Sequence, residues 1–185
     1  MKASLCLLVT FLFHFTASVS VFSQELKDYY TGKDTLEING EVYKVTVRGH
    51  FITLENINYI LSYQQQRYPS GEPVLYNDRT NLINKEVIRE SRLACFSKQE
   101  LLALKTEGAF ISFHHAISLD GQILETQISI SSSGRYIFSL PPEKIITFAE
   151  TIKENAKFSV HPFVKKSGLT FVKKEMNIPF KEFFR

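Results

Sequence analysis

Residues 111–134 read ISFHHAISLDGQILETQISISSSG. The fold turns on whether this stretch is a β-hairpin or a chemical cluster. Two histidines stand side by side in an apolar run, with Asp120 and Glu125 close behind. Read with strand alternation, Ile111, Phe113, His115 and Ile117 share one face, while Ser112, His114, Ala116 and Ser118 share the other. Asp120-Gly121 supplies the turn. On the return, Leu124, Thr126, Ile128 and Ile130 share a face, and Glu125, Gln127 and Ser129 point the other way. Successive strand side chains project to opposite faces, so His114 and His115 cannot converge on one ion. A zinc site needs three or four converging ligands, and neither His50 nor His161 has a neighbour at ligand spacing. The stretch is therefore expected to be scaffold, with His115 a satisfied, partly buried ring and His114 solvated. No metal, cofactor or catalytic residue is assigned.

Upstream of the hairpin, Ser97-Lys98-Gln99-Glu100 has the spacing of a capping box, and Leu101, Leu102 and Leu104 follow. Gly108 ends that helix by taking a left-handed conformation. Residues 84–96 read as a further short helix. Earlier, Asn39-Gly40 marks a two-residue hairpin turn, because both its central positions need positive φ. The strand after it places Tyr43, Val45 and Val47 on one face. Residues 51–63, FITLENINYILSY, carry both strand composition and a helical stripe of Leu54, Ile57 and Leu61; the strand reading is preferred. Pro and Gly then punctuate a turn over residues 68–73.

Downstream, Tyr136, Phe138 and Leu140 suggest a short extended piece. Pro142 suits a first helical position, and Ile145, Ile146, Phe148, Ala149 and Ile152 form the apolar stripe of a helix ending near Asn155. A last strand is expected from Phe158 to Pro162, then a hairpin around Ser167-Gly168 leading to Leu169, Phe171 and Val172. The predicted architecture is α+β. It has two layers, a mostly antiparallel sheet with two main helices packed on one face, preceded by an N-terminal β-hairpin region.

The first residues, MKASLCLLVTFLFHFTASVSVFSQ, run from a lysine through an apolar stretch to small residues. That is the order of a secretory signal peptide, 1–23, cut after Ser23 or, as second choice, after Ser20. The alternative is an inner-membrane anchor over residues 5–22. The remaining chain divides into a β-rich region, 24–96, and an α-β-β-α-β domain with a C-terminal hairpin, 97–185. Export implies the periplasm or the cell surface. Removing the leader leaves Cys95 as the single cysteine, which excludes an internal disulfide framework. Its apolar neighbours Ala94 and Phe96 favour an inert thiol.

A net charge of +3 excludes general nucleic-acid binding, which needs a strongly basic face. No G-x-S-x-G elbow, H-E-x-x-H helix or phosphate-binding glycine loop occurs. SSSGR reads as a flexible turn rather than an anion-binding nest. Lys165, Lys166, Lys173 and Lys174 flank the last expected hairpin. They protect an edge strand from unwanted pairing, or else form a basic patch for anionic lipid or polysaccharide.

The element order from Ser97 to Pro162, with DG at the hairpin, SSSG after its second strand and a helix running into AKFSVHP, resembles the C-terminal domain of TonB-type energy transducers over roughly the last 90 residues. The resemblance implies a periplasmic module that pairs with an outer-membrane receptor segment by adding strands. The chain lacks the transducer's long proline-rich spacer, so energy transduction is not implied. The sequence also resembles small uncharacterised exported proteins of Gram-negative gut-type bacteria, which implies a location and no activity. Two functional expectations follow. One is a non-enzymatic binding or interaction module of the envelope that engages a protein by strand addition. The other is a hydrolase-type enzyme with dispersed site residues, for which His114, Glu125 and Arg135 are the first candidates.

Overall fold

Asn39 and Gly40 both take positive φ, 54° and 80°, and close the hairpin their sequence demands. The computed structural model describes residues 28–62, 64–72, 74, 80–131 and 133–181. The expected signal peptide with its cut sites, and the anchor reading over 5–22, lie outside these residues, as do Pro73 and Ser132.

From that turn β1 (Thr35–Ile38) and β2 (Glu41–Arg48) run antiparallel, and β3 (Phe51–Asn56) returns along β2. Tyr43 and Val45 are buried as the alternation requires, while Val47, nearer the strand end, is more than a third exposed. The strand reading of residues 51–63 holds only to Asn56. There the side-chain oxygen of Asn56 accepts from the Asn58 N–H at 2.9 Å, and the chain turns. The Glu41 carboxylate takes the amide groups of both asparagines.

β4 (Thr80–Leu82), α1 (Glu86–Cys95) and α2 (Lys98–Thr106) follow. The capping box of α2 is complete. The Ser97 hydroxyl accepts from the Glu100 N–H at 3.3 Å, and the Glu100 carboxylate accepts from the Ser97 N–H at 2.8 Å. Gly108 takes φ 63° just beyond the helix.

β5 (Phe110–Ser118) and β6 (Ile123–Ser131) form the hairpin expected from the opening stretch. Ile111, Phe113, His115 and Ile117 are all buried on one side. The return strand departs from simple alternation. Pairing passes from Ala116–Glu125 to Ile117–Ile123, a bulge. Ile123 turns inward, and Leu124, expected inside, is exposed.

The segment Tyr136–Ser139 was expected to be extended and is instead a 3-10 turn. The Glu107 carboxylate accepts from the Tyr136 and Ile137 N–H groups at 2.8 and 2.9 Å, capping the turn from a distant helix end. α3 (Pro142–Asn155) then begins with Pro142 at its first position and buries Ile145, Ile146, Phe148, Ala149 and Ile152, as its stripe predicted.

The expected C-terminal hairpin does not form. β7 (Phe158–Val160) pairs with β4, and the one-turn helix α4 (Pro162–Lys165) follows. Its cap is His161, whose Nδ1 accepts from the Phe163 N–H. β8 (Phe171–Pro179) then crosses to pair with β5.

The result is one six-stranded antiparallel sheet, ordered β1-β2-β3-β6-β5-β8, beside the small β4-β7 sheet. The regions 24–96 and 97–185 contribute strands to the same large sheet, joined where β3 meets β6. The helices lie on one face, and the α+β, two-layer expectation is met. Between the layers, Phe148 of α3 meets Phe96 edge-on at 5.3 Å and Phe113 of β5 at 5.6 Å, and Phe180 closes on Phe96 at 5.6 Å. Such pairs add to the burial of their own large apolar area.

Candidate functional site

The strand register sorts the candidate residues by face. On the side away from the helices, cross-strand neighbours form rows. One row runs Thr53–Ser129–Ser112–Asn177, and the next runs Gln127–His114–Glu175. Glu55 extends the second row by accepting from the Gln127 amide. Beyond the first row, toward the sheet end, stand Phe51, Phe110 and Pro179. The outer face is thus a polar floor with an apolar rim.

One end of that face is covered. Glu125 holds the segment after β3 against the sheet. Its Oε1 accepts from the Ile60 N–H at 2.9 Å, and its Oε2 accepts from the Ser62 N–H at 2.9 Å and hydroxyl at 3.1 Å. These hydrogen bonds outweigh the effect of burial and hold its carboxyl below the usual range. Lys173 donates to the Ser62 carbonyl at 2.6 Å, and Gln66 donates to the Phe171 carbonyl. The remainder is a shallow groove of roughly 620 Å³, lined among others by Ser112, His114, Glu175, Asn177 and Phe51.

His114 is half-buried in this groove. Burial holds its ring below the ordinary histidine range; Glu175 opposes that shift and Lys173 adds to it. His115 lies on the opposite, helix-covered face and is 1% exposed. Its Nδ1 is 2.9 Å from the Thr126 hydroxyl, while its Nε2 is buried without a hydrogen bond among the described residues. The sequence expectation of a satisfied, partly buried ring therefore needs correcting twice: the ring is fully buried and only one nitrogen is satisfied. Solvated His114 needs a milder correction, since neighbouring β6 and β8 flank it on both sides.

The other candidates do not join His114. Arg135 is exposed and pairs with Asp28 at 2.8 Å. Burial of Asp28 raises its carboxyl, but hydrogen bonds from Thr31, Tyr30 and Arg135 prevail and hold it at about 2. Lys165 and Lys166 are exposed at the end of α4. Lys173 and Lys174 are successive residues of β8 and project to opposite faces, so the four lysines do not make one patch. Cys95 is half-buried with its Sγ 4.0 Å from the Thr151 hydroxyl, and burial pushes the thiol up.

Among the described residues no group of three or more His, Cys, Asp or Glu could hold a metal ion. No described helix is long and apolar enough to cross a membrane. Ser112, Glu175 and Asn177 were missed as site residues. Alternation in β5 groups Ser112 with His114, but nothing in the sequence reveals that β8 pairs with β5.

No family model matches this sequence, and no curated protein matches it. Among solved structures, the chain is similar to the crystal structure of a DUF5043 family protein from Bacteroides uniformis. The TM-score is 0.60 at 17% sequence identity, spanning 83% of this chain and 93% of that one. At that identity the likeness establishes a shared fold alone.

Proposed function

We propose that this protein is an exported, non-enzymatic binding or protein-interaction module of the bacterial envelope, and that its partner is an envelope protein engaged by strand addition. The observation that carries this reading is β8, a nine-residue strand at the end of the large sheet, paired on one side with β5. An incoming extended segment gains main-chain hydrogen bonds at such an edge. The rows of Ser, Asn, Gln, His and Glu beside it offer side-chain contacts on the outer face. Export rests on the order of charged, apolar and small residues in 1–23.

The alternative, a hydrolase-type enzyme near the 111–130 hairpin, has less support. Glu125 is occupied by the 60–62 backbone, and Arg135 is paired with Asp28, which leaves His114 without either companion.

A photo-cross-linking side chain at Glu175, exposed on β8, tests the reading in the native envelope, with the same group at exposed Lys98 on α2 as control. The expected result is an adduct with an exported protein from position 175 and none from position 98. Adducts with cytoplasmic proteins only, or equal labelling from both positions, would overturn it.

A further inference from the structure

β8 ends the large sheet, and its register shows which of its backbone groups stay open. In an antiparallel ladder, pairs that exchange hydrogen bonds alternate with pairs that do not. The Phe180 N–H donates to the Ala109 carbonyl at 3.1 Å, in line with the pairing of Pro179 with Phe110. Counting back from there, Ile178, Met176, Lys174 and Val172 direct their backbone groups toward β5. Phe171, Lys173, Glu175, Asn177 and Pro179 direct theirs to the free edge. Both ends of that edge are closed by side chains. The Gln66 amide donates to the Phe171 carbonyl, and the Arg92 guanidinium donates to the Pro179 carbonyl at 3.2 Å. Between them, the outward backbone groups of Lys173, Glu175 and Asn177 take no hydrogen bond among the described residues. Asn177 lines both the outer-face groove and a hollow of roughly 390 Å³ on the helix side, so the edge lies open between the two.

The side chains along this window differ in chemistry from one face to the other. On the outer face Glu175 is exposed and makes no ion pair among the described residues. Its cross-strand neighbour is His114, whose ring is disfavoured from carrying a charge by burial. Lys173, on the same face, is turned to the Ser62 carbonyl at 2.6 Å. The charge of Glu175 is thus left for an incoming group. On the inner face, half-open Leu82, Ile88 and Met176 line the hollow. Arg92 and Lys174 line it too but are engaged elsewhere.

We propose that the segment added at β8 is an antiparallel strand with Arg or Lys opposite Glu175 and, just before it, a large apolar residue opposite Met176. The antiparallel direction continues the large sheet, in which every pairing is antiparallel. In that register the basic residue exchanges main-chain hydrogen bonds with Glu175 and lies beside its carboxylate. The residue before it projects to the other face, into the hollow. Main-chain bonds supply affinity in such an addition, and the sites for alternate side chains supply specificity. This inference rests on the strand-addition reading and names the chemistry of its partner.

Titration of the full chain with a blocked peptide, Thr-Thr-Leu-Arg-Thr-Thr-Thr, tests the assignment by NMR. Expected is saturable one-to-one binding that shifts the backbone amides of 173–177 and the methyl groups of Leu82, Ile88 and Met176. Replacing the peptide's Arg by Glu should weaken binding about five- to tenfold, since an attractive cross-strand pair becomes a repulsive one. Glu175→Arg in the protein should reverse that order. Replacing the peptide's Leu by Ser should cost about tenfold through lost burial. Methylation of the peptide's Arg amide nitrogen should abolish binding, because it removes a ladder donor. Absence of saturable binding, shifts confined to other residues, or equal affinity for the Arg and Glu peptides overturns the proposal. Unchanged binding of the N-methylated peptide also overturns it, since the contact is then no strand pairing. If the Arg and Glu peptides bind alike while position 175 still cross-links an exported protein, strand addition stands and the partner chemistry alone falls. The measurements on the unmodified chain decide the matter even if the variant fails to fold.

Discussion

His115 makes the pH dependence of stability predictable. Its ring is 1% exposed and packed near Phe113 and Phe158, at 5.7 and 6.0 Å between ring centres. Burial, followed by the neighbouring His114, pushes its pKa down to about 3. Lys174, directly across on β8 and on the same face, is a further cation that disfavours a charged ring. In the unfolded chain the ring titrates near 6.5. Between about pH 6.5 and 3 the unfolded state therefore holds a proton that the folded state refuses. The stability associated with the neutral ring is complete above 6.5. It falls as the pH drops through the unfolded value and levels off below the folded one. From pH 7 to pH 4 the loss is about 3 kcal/mol, from some 2.5 pH units at 1.36 kcal/mol each.

The perturbation is His115→Gln, which removes the titration and leaves an amide near the Thr126 hydroxyl. The chain has no Trp, so urea unfolding is followed by far-ultraviolet circular dichroism at pH 7, 6, 5 and 4. Carboxylates common to both proteins cancel in the comparison. The stability of the variant relative to the unmodified protein should rise by about 3 kcal/mol as the pH falls from 7 to 4. Its cost at pH 7 from altered packing does not enter this slope. His114→Gln should recover much less, because that ring reaches the open groove. If the His115→Gln and unmodified curves run parallel across this range, the ring is not held neutral in the core, and the assignment of its inward face fails.

Two further substitutions probe the turns that shape the sheet. At Gly121, φ is 94° and an added Cβ would stand 1.9 Å from the Phe158 carbonyl oxygen. Gly121→Ala should therefore cost roughly 3 kcal/mol or more in urea unfolding, and a cost under about 1 kcal/mol would mean that β7 does not lie against this turn. Glu125→Gln removes the charge that gathers the 60–62 backbone. Amide hydrogen exchange there should quicken about tenfold or more, consistent with losing about 1.5–3 kcal/mol of charge-assisted hydrogen bonding; unchanged protection would show that the segment is held by other contacts.

The parts of the fold that were legible in sequence are those whose signal is local. Asn39-Gly40 had to turn, because few other pairs take two positive φ values cheaply. The box at Ser97 and Glu100 closes within four residues, and the α3 stripe repeats within one helix. The misreadings share a different cause: a partner far away in the chain. Tyr136 and Phe138 looked extended because their composition favours strands, but the Glu107 carboxylate caps the segment into a 3-10 turn. Leu124 looked inward because alternation was counted without the bulge that admits Ile123 instead. The hairpin expected at Ser167-Gly168 had the right local punctuation, with Gly168 at φ 79°. Its two flanking strands found other partners, β4 and β5.

The same distinction explains why the candidate site was only half visible. Strand geometry alone separates His114 from His115, and both residues lie on the faces it gives them. What surrounds each ring depended on β8, which supplies Glu175 beside His114 and Lys174 beside His115 from one strand, on opposite sides. That strand also lines a hollow on each side of the sheet. Its outer residues Glu175 and Asn177 floor the groove, and its inner residues Lys174, Met176 and Ile178 wall a hollow facing β4 and α1. A strand that completes both hollows while remaining at the sheet edge is poorly placed to serve the core alone. Of its inward side chains, Ile178 is buried, while Met176 and Lys174 stay partly open to that hollow. Making Lys174 apolar would therefore fill no packed interior, because its side chain stands at the half-open margin of the inner layer.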